Sequence, residues 1–310
     1  MNILITGGGG YLGSVLVPAL LAVGYQVTVV DTFLHGIPSL IAHMYRRNLI
    51  VIRDDARSTA TLRRAREYDV IIPLAALVGA PACDLDPVTA VSLNHIAVED
   101  LIGKVSRDQT ILFPCTNSGY GIGGGSLCTE DSPLMPVSLY GRTKVEAERA
   151  VLTHPRGVSL RLATLFGSSP RMRLDLLVND FCYRAVRDRA IVLFEPEFRR
   201  NFLHVRDAAS AFLFALQHER LFHGRIFNVG NTAANMTKRQ LAEVVRAEVP
   251  GCEILVATTG ADPDQRDYVV SNARIEALGW RPTNALHDGV CELVRTCRGM
   301  PMDRTPWRNA

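Results

Sequence analysis

Tyr140 and Lys144 are the residues whose types and spacing most plainly permit chemistry. They stand four apart in Leu139-Tyr140-Gly141-Arg142-Thr143-Lys144, a stretch that reads as helix. Residues at i and i+4 share one helical face, so phenol and ammonium can meet over one substrate atom. A free tyrosine has a pKa of about 10, too high for a base at neutral pH. A cation held beside it favours the phenolate and makes it a proton shuttle. This is the only Tyr-x-x-x-Lys in the chain, and the chain has three lysines against 31 arginines. Where arginine is the default, a lysine at this spacing points to a need for its compact ammonium.

A second constellation lies at the N-terminus. The apolar run 2–6 leads into four consecutive glycines and then a helical pattern. Gly7, Gly10 and Gly13 have the spacing Gly-x-x-Gly-x-x-Gly. Such a loop turns tightly, lets backbone approach a diphosphate, and presents a helix N-terminus to the phosphates. Asp31 ends the next apolar run, 18 residues past Gly13. A carboxylate there accepts both ribose hydroxyls and repels a 2′-phosphate, and residues 32–39 hold no arginine. The expected cofactor is NAD, not NADP.

The elements that must position these groups follow from the apolar pattern. Short runs at 2–6, 27–31, 50–53, 70–75, 111–115 and 159–162 read as strands, with helices over 12–23, 59–66, 91–105 and 139–152 between them. Continuous apolar strands alternating with helices predict a parallel α/β sheet covered on both faces. Pro18 predicts a bend near Ser14 in the first helix. Further on, 198–205 and 225–229 read as strands and 207–217, 237–249 and 272–278 as helices. Pro and Gly cluster at 167–170 and 230–232, where the chain would cross between the sheet domain and a smaller one. Residues 121–125, four glycines in five, read as a flexible loop.

Composition narrows the function classes. At 310 residues, 47% apolar and 21% charged, the chain is an ordinary globular protein. A net charge of +3 without a Lys/Arg run gives no support for nucleic acid or a membrane surface. The start lacks the features of a signal peptide, and no apolar run reaches bilayer length. Seven scattered cysteines without a Cys-x-x-Cys pair suit reduced thiols in a cytoplasm. No His/Cys/Asp cluster has metal spacing, so no metal is expected.

Taken together, residues 6–13, Asp31, Leu74-Ala75-Ala76, Asn94, Thr116, Tyr140 and Lys144 resemble the extended short-chain dehydrogenase/reductase superfamily. The nearest branch is its NAD-dependent nucleotide-sugar epimerase/dehydratase family. The resemblance runs through most of the chain, including 200–207, 227–230, 267–271 and 278–282. It implies a Rossmann doubly wound sheet (1–167 plus about 200–232) and a smaller α/β nucleotide-sugar-binding domain (about 168–199 plus 233–310). It implies that Gly7, Gly10, Tyr11, Leu12, Gly13 and Asp31 hold NAD, with Asp55 and Ala56 at the adenine. Leu74, Ala75 and Ala76 would line the cofactor channel, and Lys144 would bond the nicotinamide ribose. Tyr140 would be catalytic, and Asn94 a brace. Asn179, Arg200 and Arg266 would meet the diphosphate of the substrate, with Arg199 nearby and 170–173 bordering the sugar. The helices at 91–105 and 139–152 would pair two subunits in a homodimer.

The reaction hangs on Thr116-Asn117-Ser118. By the resemblance, the Thr116 hydroxyl shares the sugar 4-OH with Tyr140. The family's 4,6-dehydratases place Asp then Glu at the next two positions, and its glucuronate decarboxylases tend to carry Glu at the second. Asn117 and Ser118 are neither acids nor bases near neutral pH. The expectation is hydride and proton transfer at C4 through a 4-keto sugar, in an epimerase or in a C4 dehydrogenase or 4-ketoreductase, with a heptose among the sugars considered. A non-catalytic NAD-binding sensor is the competing class, and the intact Tyr140/Lys144 pair with Thr116 argues against it.

Overall fold

The computed structural model describes residues 1–34, 39–260 and 266–300. The last ten residues of the expected second domain lie outside them. The chain opens with β1 (Asn2–Thr6), α1 (Gly13–Ala22), β2 (Gln26–Asp31), β3 (Leu49–Arg53), α2 (Thr59–Arg64) and β4 (Val70–Pro73). Next come α3 (Ala80–Leu85), α4 (Pro87–Val91), a π-helical turn (Ser92–Ile96), α5 (Ala97–Ile102), β5 (Thr110–Thr116) and β6 (Ile122–Cys128). Then follow α6 (Leu139–Val151), β7 (Gly157–Leu162), β8 (Thr164–Phe166), α7 (Leu177–Asp188), β9 (Ala190–Leu193), β10 (Arg199–His204), α8 (Val205–Gln217), α9 (Glu219–Phe222) and β11 (Ile226–Val229). The described chain ends with β12 (Asn235–Thr237), α10 (Lys238–Glu248), β13 (Glu253–Val256), β14 (Asp267–Val270), α11 (Ala273–Glu276) and α12 (Leu286–Gly299).

Seven strands form one parallel sheet in the order β11-β7-β5-β4-β1-β2-β3. Alternation along β1 explains the two layers: Ile3 and Ile5 pack with α1 and α8, while Leu4 packs with Leu62 and Leu101 on the other face. Each such side chain, fully buried, contributes about 1.5–3 kcal/mol. The strand order reverses between β1 and β4, and in open parallel sheets ligands bind at that switch point, beyond the strands' C-terminal ends. Gly7 follows β1 there, and Leu74–Ala76 follow β4.

A second core joins α7, α10 and α12 to β9 and β10. It is flanked by the small sheets β12-β10-β8, β13-β9 and β14-β6. No described helix is long and apolar enough to cross a membrane. All seven cysteines are free.

Three local expectations change. Residues 122–125 of the glycine stretch are not a loop but the start of β6, which pairs in parallel with β14 across the sequence; local composition cannot register a partner so remote. The helix expected over 91–105 is broken by the π-turn at Ser92–Ile96. There the Asn94 amide accepts from Leu77 N–H (2.7 Å) and donates to Leu77 C=O (2.9 Å), pinning the segment that follows β4. Residues 272–278 yield four helical residues in place of seven. Helix α1 runs on through Pro18.

Candidate active site

The glycine loop is shaped by what surrounds it. Gly7 has φ +74°, and a Cβ on it would lie 2.5 Å from the Ala75 nitrogen. A Cβ on Gly13 would lie 2.5 Å from the Gly8 carbonyl oxygen. Both contacts are impossible for a real side chain, so the loop presses against β4's exit on one side and folds on itself at the other. Gly10 N–H donates to Gly7 C=O (3.1 Å), while the N–H groups of Tyr11 and Leu12 make no hydrogen bond among the described residues. They lie at the start of α1, where free N–H groups favour a phosphate. The Tyr11 hydroxyl donates to Gly167 C=O (2.6 Å), which ties the loop to the chain leaving β8.

Asp31, at the end of β2, accepts from Gly9 N–H (2.8 Å) and Phe33 N–H (2.7 Å). Its carboxylate is fixed by these bonds and keeps lone pairs for hydroxyl donors. Beside it opens a cavity of about 430 Å³ lined by Thr32, Phe33, Leu34, Arg53, Asp54 and Asp55. Asp55 is held by Arg57 (2.7 Å), which keeps its carboxyl below the usual range. Ala56 and Ala75 line a smaller recess with Thr6. The cradle, the carboxylate and the adjoining cavity fit a dinucleotide laid across the switch point.

The catalytic candidates converge from β5 and α6. Thr116 ends β5, and its hydroxyl accepts from Ser118 N–H (3.1 Å) and donates to Ser118 Oγ (2.9 Å), closing the turn Asn117–Tyr120. Helix α6 begins with Ser138 as N-cap, its hydroxyl accepting from Gly141 N–H (3.2 Å). Gly141 comes so near this turn that a Cβ on it would lie 3.3 Å from the Ser118 carbonyl oxygen. The first turn of α6, which carries Tyr140, therefore lies close to the turn at Ser118. Behind it, Glu148 on α6 meets Arg161 on β7 (2.7 Å), both buried, and accepts from the Ser159 hydroxyl (2.5 Å). Arg161 also donates to Tyr120 Oη (3.0 Å). This lock fixes α6 to the sheet.

The electrostatics differ from the simple pair. Lys144 is 3% exposed, and its Nζ lies 4.0 Å from the centroid of the Phe113 ring. Among the described residues it has no carboxylate partner. Burial pulls its ammonium down to about 8. The half-buried Tyr140 phenol makes no side-chain hydrogen bond among the described residues, and burial pushes it well above its ordinary value, with the Cys115 thiol adding to the rise. The charges that draw it back down are Arg173 and Arg266. Two arginines from distant segments thus act on Tyr140, while Lys144 is itself desolvated and lies against the Phe113 ring.

The arginines divide by partner. Arg266 donates from Nη1 to Ser118 Oγ and lies 3.4 Å from the Tyr268 hydroxyl. It stands at the catalytic turn, closer to the chemistry than a diphosphate role alone implies. Arg173 pairs with Asp175 (2.5 Å). Arg199 is held by Asp267 through two bonds of 2.9 Å. Arg200 is buried, with its guanidinium 5.9 Å from the Tyr268 ring centroid. The Asn179 amide accepts from Gly167 N–H (3.1 Å) and donates to Arg173 C=O (2.8 Å), bracing the segment between β8 and α7. Asn117 is fully buried, and neither atom of its amide has a hydrogen-bond partner among the described residues.

The comparisons with known proteins agree with this geometry. Residues 3–230 match the model of the NAD dependent epimerase/dehydratase family. The chain belongs to that family. It is 29% identical over 313 residues to UDP-glucuronic acid decarboxylase 4 of Arabidopsis thaliana, covering 96% of this chain and 69% of the relative. Its fold matches Thermus thermophilus UDP-glucose 4-epimerase in complex with NAD, with a TM-score of 0.79, 27% identity, and coverage of 96% and 99%. It also matches DesIV, a dTDP-glucose 4,6-dehydratase of Streptomyces venezuelae with NAD bound, at a TM-score of 0.84, 22% identity, and coverage of 96% and 97%. The Rossmann fold, the NAD dependence and membership of this enzyme family are established; the reaction catalysed is a further step.

Proposed function

We propose that this enzyme oxidises C4 of a nucleotide-diphosphate sugar, with Tyr140 as the proton carrier. Bound NAD supplies a hydride acceptor at C4. Thr116 orients the 4-OH, and Tyr140, as phenolate, takes its proton while the 4-keto sugar forms. Lys144 stands one turn away on the same face, where it can hold a ribose hydroxyl and lend its charge. The observation that carries the reading is the close approach of the first turn of α6, which carries Tyr140, to Ser118, with no carboxylate at positions 117 or 118. Without one there, the turn has no partner for elimination across C5 and C6. Turning the keto sugar and returning the hydride gives a 4-epimerase; releasing or accepting the keto sugar gives a dehydrogenase or 4-ketoreductase. We assign Asn117 and Ser118 to the sugar, since a buried amide without a partner is costly unless a ligand or water satisfies it. Asn179, Arg200 and Arg266 we assign to the diphosphate end, and the helical segments 91–105 and 139–152 to the contact between two copies of the chain.

A second reading draws support from the decarboxylase relative and from Arg266 at Ser118. If the sugar is a hexuronate, oxidation at C4 places a ketone β to the carboxylate. The C5–C6 bond then breaks with its electron pair taken up as an enolate on the C4 oxygen, C5 takes a proton from solvent and the hydride returns to C4, with no acid needed at position 118; Arg266 offers a cation for the carboxylate before it leaves.

The test is Tyr140→Phe against a panel of nucleotide sugars that includes a hexuronate. Turnover should fall by at least about 1,000-fold while NAD stays bound. Full activity in the variant would sink the mechanism. The panel separates the two readings by product.

A further inference from the structure

Residue spacing along the chain holds no metal motif, yet the fold brings three ligand types together far from the catalytic turn. His287 and Cys291 are one turn apart near the start of α12, and Glu248 is the last residue of α10. His287 Nε2 lies 2.9 Å from Glu248 Oε1. Cys291 Sγ lies 3.8 Å from His287 Nδ1 and 4.0 Å from Nε2. One ligand atom from each residue falls within 4.8 Å of the others. The Glu248–His287 separation of 39 residues hides the trio from any reading of local spacing.

We infer that Glu248, His287 and Cys291 form a binding site for one divalent ion of the zinc class. With metal bonds of about 2.0–2.3 Å at tetrahedral angles, neighbouring ligand atoms lie roughly 3.3–3.6 Å apart. The separations here lie on either side of that range, so side-chain rotations must draw the thiol in and part the imidazole from the carboxylate. Thiolate, imidazole and carboxylate together favour Zn²⁺ or Co²⁺ over Mg²⁺ or Ca²⁺. If Nε2 ligates, Nδ1 faces the Asp288 carboxylate at 3.7 Å, the kind of outer partner that orients metal-bound histidines. The His287 side chain is 60% exposed and that of Glu248 30%, which leaves the fourth position to water. Binding replaces the Cys291 thiol proton with the metal and releases that proton to solvent. The ion would staple the end of α10 to the start of α12, in the second core.

The test uses the whole chain, washed with chelator and titrated with Co²⁺. Wild type should bind one ion with a thiolate-to-cobalt absorption band. C291S should lose the band, and H287A should weaken binding by more than about 100-fold, beyond the effect of losing an outer partner. Zn²⁺ should also protect Cys291, the least buried of the seven cysteines, from alkylation in the wild-type protein. A spectrum without a thiolate band, an unchanged titration in C291S, or alkylation indifferent to Zn²⁺ overturns the site.

Discussion

Replacing Lys144 with methionine should silence the enzyme and stabilise its cofactor-free form. The buried ammonium has no salt-bridged carboxylate among the described residues, and burial outweighs the pull of the Glu148 charge, so its pKa falls from 10.5 to about 8. That drop means the fold disfavours the charged form by about 3 kcal/mol at pH 7. The Phe113 ring returns about 1 kcal/mol through its cation–π contact. Methionine fills similar space without charge, so the net gain is about 2 kcal/mol. The sign with pH follows. Between pH 8 and 10.5 the unfolded chain's lysine holds a proton that the folded one has lost, so wild-type stability rises through that window. The advantage of the variant is therefore full below about pH 8 and shrinks by roughly half by about pH 9.5. Urea unfolding of NAD-free wild type and K144M at the two pH values measures it, with turnover assayed in parallel. A variant less stable than wild type at pH 7, or a difference that does not change with pH, would refute the argument.

Glu148→Ala leaves Arg161 buried without its carboxylate and should cost about 3–5 kcal/mol in chemical unfolding. Gly13→Ala drives a Cβ into the Gly8 carbonyl; calorimetric titration should find NAD binding weakened at least about 10-fold, with the second core still folded by near-ultraviolet circular dichroism. Arg266→Ala removes one of the two cations that draw the Tyr140 phenol downward. The limb on which activity rises with pH, which reports phenolate formation, should move to higher pH, provided the fall in rate is corrected for substrate saturation; an unmoved limb would take Arg266 away from the catalytic turn.

Much of this fold and site was legible because its signals are local. The loop from Gly7 to Gly13 reads directly, since tight turns and a close approach to Ala75 leave only glycine. Tyr140 and Lys144 share a helical face by spacing alone. The seven-stranded sheet follows from short apolar runs whose ends the structure moves by no more than two residues, most of them outward. What could not be read depends on contacts between distant segments. The influence of Arg173 and Arg266 on Tyr140 needs the loop after β8 and the start of β14 to meet at α6. The π-turn at Asn94 is set by Leu77, 17 residues away. The strand at 122–128 exists because β14 pairs with it, and the Glu248–His287–Cys291 trio exists because α10 ends beside α12.

The central claim, that Tyr140 and bound NAD carry out redox chemistry at C4, is tested most directly with a nucleotide sugar deuterated at C4. The account predicts transient absorbance of reduced nicotinamide, slowed by the label, with deuterium appearing on the cofactor and neither step visible in Y140F. Product formed without cofactor reduction, or with the C4 deuterium never leaving the sugar, would contradict it.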